Sequence, residues 1–116
     1  MAALTQGLAE SAFDVVRRLR DFDQYGSPDR AIAALRRRNR TRSAVACEVA
    51  FRRASELYDA ARRIANARRM ELWRFHESGE YRPAGIVAQL RAECPGWSKR
   101  LYEGALWWVW YWHFLR

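Results

Sequence analysis

The chain has 116 residues, half of them apolar and 14% aromatic, with a formal net charge of +8 and a pI of about 10.5. That length suits one helical domain, 1–116, large enough to bury a core, and the apolar and aromatic content excludes a disordered chain. The basic balance turns attention to polyanionic partners: nucleic acid, an anionic membrane or an acidic protein surface.

Of the 21 basic residues only Lys99 is a lysine. GC-rich coding DNA raises Arg and Ala together, which accounts for the ratio but not for any clustering. No stretch approaches the roughly 18 apolar residues of a bilayer span. The start, Met1 to Glu10, lacks the basic-then-apolar pattern of a signal peptide. Two cysteines, Cys47 and Cys94, are too few for a disulfide framework. The expectation is a reduced, cytoplasmic protein, and the Arg/Ala-rich character fits a bacterial or phage origin.

Apolar residues recur at helical spacing throughout, and no run alternates with period two. A first helix is expected from about Leu4 to Gln24, with Leu8, Val15, Leu19 and Phe22 on one stripe. Tyr25-Gly26 ends it. Ser27-Pro28-Asp29 then gives an N-cap serine, a proline at the first helical position and an acid in the first turn.

This second helix points Ile32 and Leu35 inward and runs into Arg36-Arg37-Arg38-Asn39-Arg40-Thr41-Arg42, five arginines in seven positions with no acid. Like charges and the capping propensity of Asn39, Thr41 and Ser43 predict a break between Asn39 and Ser43, although a continuous helix from Pro28 to about Glu77 also fits the pattern.

The third helix is expected to be the longest, from Ser43 to Glu77. Its inner face carries Ala46, Ala50, Ala54, Leu57, Tyr58, Ala61, Ile64, Ala65, Leu72 and Phe75, and its alanines allow close helix approach. Its outer face interleaves acids and arginines: Glu48 with Arg52, and Asp59 with Arg63, stand at i,i+4. The run at Arg36–Arg42 has no such acids beside it in sequence.

Ser78-Gly79-Glu80 breaks this helix, and Tyr81-Arg82-Pro83 begins a fourth, which buries Ile86, Val87 and Leu90. Cys94-Pro95-Gly96-Trp97 makes a turn, and Ser98 caps a fifth helix.

The fifth helix ends in Ala105-Leu-Trp-Trp-Val-Trp-Tyr-Trp-His-Phe-Leu115, which is apolar on all faces and about 16 Å long, half a bilayer core. Such a helix must be covered on all faces. Burial within the domain, a homodimer or partner interface through Trp107, Trp110, Tyr111 and Phe114, and shallow membrane insertion compete. The absence of a basic polar face disfavours the membrane.

Three readings also compete for the arginine run: a solvated basic turn, contact with nucleic-acid phosphates, and contact with an acidic protein. Guanidinium forks bind phosphate oxygens bidentately, Asn39 and Thr41 can add hydrogen bonds, and Arg17, Arg18 and Arg20 extend the patch if the first two helices form a hairpin.

Other chemistries find little support. The fourth and fifth helices resemble a helix-turn-helix only in connectivity, because the fifth would present Trp, Val and Tyr where base edges need polar groups. Cys47, Cys94, His76 and His113 lack the spacing of a zinc site. No Ser/His/Asp set, phosphate loop or carboxylate pair stands out, and His76 reads as a helix-end histidine.

The sequence therefore leads to an all-α fold: a small irregular bundle of about five helices with one long central helix. It leads also to a non-enzymatic binding protein, without metal or cofactor, that docks on nucleic acid or a nucleoprotein through Arg36, Arg37, Arg38, Asn39, Arg40, Thr41, Arg42, Arg17 and Arg18. The alternative is a phage-type interaction or inhibitor protein. There the arginines meet acidic side chains and the aromatic tail makes a homodimer or partner interface.

Overall fold

A computed structural model describes residues 6–79 and 83–115, and every regular element among them is helical. The expected start of the first helix at Leu4 and the residues Glu80, Tyr81 and Arg82 of the expected break lie outside the described residues, as does the side chain of Leu115. Six α-helices follow in order: α1 Gln6–Phe22, α2 Pro28–Arg38, α3 Ala44–Ala67, α4 Arg69–Ser78, α5 Ala84–Glu93 and α6 Lys99–Trp110; a π-helical turn, Tyr111–Leu115, extends α6. No helix among the described residues is long and apolar enough to cross a membrane. The chain divides into two compact units whose border falls inside α3, residues 2–58 and 59–116.

In the first unit α2 folds back on α1. Asp23 and Gly26 take the positive φ values, 52° and 80°, that the tight connection requires. Ser27 caps α2 as expected, its Oγ accepting from the Arg30 N–H at 3.2 Å with Pro28 at the first helical position.

The expected break after α2 is present. Asn39 leaves the helical region at φ −130°, ψ 58°, and Ser43 restarts the chain as the cap of α3, accepting from Ala46 N–H at 3.0 Å. The first-unit core gathers Leu8, Phe13, Val15 and Val16 of α1, Ala31 and Leu35 of α2, and Cys47, Phe51, Ala54 and Leu57 of α3, all buried. Tyr58 joins them through the Phe13 ring at 6.5 Å, and its hydroxyl donates to the Asp21 carboxylate.

The long third helix is shorter than its pattern suggests. It ends at Ala67, and a single residue, Arg68 (φ −116°, ψ 26°), separates it from α4. No glycine or proline marks the place. Arg68 instead binds Glu71 through two hydrogen bonds, 2.8 and 3.2 Å, and reaches Gln89 of α5 at 3.2 Å. A tertiary contact thus favours a bend that local propensity does not encode. Gly79, at φ 72°, closes α4 with the left-handed C-cap that only glycine adopts without strain.

In the second unit Ile64, Leu72, Ile86, Leu90, Leu106, Val109 and Trp110 are buried. The turn between α5 and α6 is tied by Tyr102, whose hydroxyl donates to the Cys94 carbonyl at 2.5 Å and accepts from the Trp97 N–H at 3.2 Å. Ser98 caps α6 through Leu101 N–H at 3.1 Å. Arg63 of α3 pairs with Glu93 of α5.

Candidate functional site

The nine polar residues singled out from the sequence divide into two groups. Asp14, near the middle of α1, takes three guanidinium groups at once: Arg17 Nη2 at 2.7 Å, Arg18 Nε at 2.9 Å and, from the end of α2, Arg38 Nη1 at 2.8 Å. Partial burial by itself pushes the Asp14 carboxyl up. The hydrogen bonds from Arg17, Arg38 and Arg18 outweigh it and bring the pKa down from 3.8 to about 2. The same bond raises the pKa of Arg18, which also donates to Gln24 Oε1 at 3.2 Å.

The absence of acids beside the run in sequence holds, but the fold supplies one from a distance. Arg38 has an acid 24 residues upstream that sequence adjacency hides. Asn39 is engaged too. Its side-chain amide donates to the Leu35 carbonyl at 3.0 Å and closes the end of α2.

The remaining arginines are arranged differently. Arg36, Arg37, Arg40 and Arg42 are all exposed, and with Ala33 they line one open concavity of about 360 Å³. No side chain of the four makes a hydrogen bond or ion pair among the described residues. No acid among the described residues lines the concavity.

Local structure produces the grouping. Arg36 and Arg37 lie in the last turn of α2, where cationic side chains complement the exposed carbonyls. The turn that follows, held by Arg42 N–H to the Asn39 carbonyl at 3.0 Å, brings Arg40 and Arg42 round to the same hollow. Thr41 is exposed in this turn. Four cations facing one concavity focus a positive potential there, the arrangement that draws phosphate or carboxylate oxygens.

A second feature lies in the second unit. The tail is covered unevenly: Ala105, Leu106, Val109 and Trp110 are buried, Trp107 and Tyr111 are exposed, and Phe114 is half-buried. Of the expected interface residues Trp110 is thus a core side chain, 1% exposed, packed against Trp73 and His76 of α4. Trp97, in the turn before α6, is buried as well. Tyr102, Leu106 and Val109 turn the inner side of α6 to the core.

Among the described residues no group of three or more His, Cys, Asp or Glu is placed to hold a metal ion. No protein-family model matches the chain, and neither a curated protein nor a solved structure matches it.

Proposed function

We propose that this is a non-enzymatic nucleic-acid-binding protein that grips the phosphate backbone with Arg36, Arg37, Arg40 and Arg42. The observation that carries the reading is their shared concavity without an acid or an internal ion pair among the described residues. A cluster held together against its own repulsion gains most from a ligand with closely spaced negative charges, and phosphodiesters offer them at every nucleotide. Guanidinium forks suit phosphate oxygens, while contacts to the backbone carry no base information, so binding is largely indifferent to sequence.

Arg17, Arg18, Arg38 and Asn39 support the site without entering it, and Thr41, exposed in the same turn, can add a hydrogen bond. Fluorescence anisotropy with a mixed-sequence oligonucleotide tests this: binding present at about 50 mM salt should be largely gone at about 300 mM. It should also be lost when the four arginines become alanine. Binding that survives either change contradicts the proposal.

A rival reading, docking on an acidic protein of a host or phage system, uses the same arginines and draws on the exposed Trp107 and Tyr111, since such rings anchor protein interfaces. It predicts no affinity for bare oligonucleotides.

A further inference from the structure

Three aromatic rings of the second unit stand together and open to solvent: Trp73 of α4, 40% exposed, Trp107 of α6, 38%, and Tyr111 at the start of the π-helical turn, 40%. They form one continuous assembly. Trp107 stacks on Tyr111 at 6.1 Å with the rings 27° apart. Trp73 and Trp107 both pack on the His76 ring, at 5.7 and 6.4 Å, and on the buried Trp110 edge, at 6.5 and 5.6 Å. Buried Trp110 therefore fixes the exposed rings from below. Beside them runs a groove of about 130 Å³ lined by Arg69, Met70, Trp73, Trp110 and Phe114.

Charge decides among the occupants. Among the described residues the one charged group lining the groove is Arg69, and no acid accompanies it. A second copy of the chain would bring the same excess of positive charge, +8 at neutral pH, toward the first. A polyanion with flat apolar rings meets both features: its phosphates are drawn to guanidinium groups and its bases to ring faces. In a duplex those faces are stacked inside the helix and closed to side chains, so only an unpaired strand can use the rings.

We infer that the Trp73–Trp107–Tyr111 face stacks unpaired bases, so that the ligand is a single-stranded nucleic acid in preference to a duplex. The inference rests on the phosphate-binding reading of the arginine concavity and adds strand selectivity to it.

The test measures affinity for labelled oligo-dT and oligo-U of about 12 nucleotides, and for a DNA duplex of the same length, by fluorescence anisotropy at low salt. Wild type should prefer the single strands by about tenfold or more, with quenching of tryptophan fluorescence on binding. Trp73→Leu and Trp107→Leu keep an apolar side chain, smaller than the indole, and remove the ring face. Each should weaken single-strand binding about 5- to 100-fold and leave duplex binding within about twofold. Trp73→Phe, checked for native helicity by circular dichroism, should retain most of the single-strand affinity.

Equal affinity for strand and duplex, or leucine variants that bind single strands like wild type, overturns the inference and leaves the arginine reading standing. Loss of all nucleic-acid binding only in the four-arginine variant has the same consequence. A wild type that binds neither ligand removes both readings. A dimer seen by light scattering that Trp107→Leu dissociates shows that a second copy covers the face, and also overturns the inference.

Discussion

The arginines around Asp14 and those around the concavity belong to the same unit and come from overlapping stretches of sequence, yet they have opposite physical situations. Arg17, Arg18 and Arg38 converge on one carboxylate and fasten α2 to α1. Arg36, Arg37, Arg40 and Arg42 converge on open space. Residues 37 and 38 are neighbours in the chain and fall on different sides of this division. A basic run is therefore a poor unit of functional argument: what separates a structural arginine from a binding one is whether the fold has already supplied its anion.

The largest effect expected from this division is on binding. Replacing Arg36, Arg37, Arg40 and Arg42 by alanine should lower oligonucleotide affinity by roughly 100-fold or more near 100 mM salt, since each phosphate contact adds about 0.9 to the salt slope. Helicity and Tm should change little, because the variant removes mutual repulsion and a favourable charge at the end of α2, effects of opposite sign, and no side-chain hydrogen bond.

Next comes stability. Asp14→Ala should destabilise the protein by about 1–2 kcal/mol, measured by urea denaturation, because three partly shielded guanidinium groups lose their common partner. An Asp14→Ala variant as stable as wild type would mean that the clamp is incidental.

The pH dependence has a definite sign. The Asp14 carboxyl is held below its ordinary value of 3.8, at about 2, in the folded chain. Its contribution is thus fully present above about pH 5 and lost as pH falls through about 4 toward about 2. Thermal melts of wild type and Asp14→Asn should differ by a constant amount at neutral pH and converge in that acid window. A gap that persists at the acid end of the window would contradict the assignment. The smallest effect is expected from Tyr58→Phe, which removes the hydroxyl donor to Asp21 and should cost about 1 kcal/mol.

Much of the architecture was legible in the sequence because its signals are local. Ser27-Pro28, Ser98 and Gly79 mark helix ends by chemistry within a few residues, and the structure uses each as expected. The alanine-rich face of α3 is buried at Ala50, Ala54, Leu57, Ala61 and Ile64 because helical periodicity is likewise local.

What escaped was non-local. At Arg68, where the expected long helix divides and makes six α-helices among the described residues instead of about five, the side chain reaches Gln89, 21 residues away. Arg38 meets Asp14 from 24 residues away, so the internal partner of this arginine could not be read from its neighbours in sequence. On the tail, a pattern apolar on every face gave no means of telling buried Trp110 from exposed Trp107 and Tyr111. Nor did any local cue announce the π-helical turn.

One measurement addresses the division of the arginines directly: the slope of log affinity against log salt for a mixed-sequence oligonucleotide, compared between two alanine variants. Substituting Arg36, Arg37, Arg40 and Arg42 should reduce the slope by about 3 to 4. Substituting Arg17, Arg18 and Arg38 should leave the slope within about one of wild type under conditions where that variant remains folded. Equal reductions in both variants, or a larger one in the second, would contradict the assignment of phosphate binding to the four arginines of the concavity.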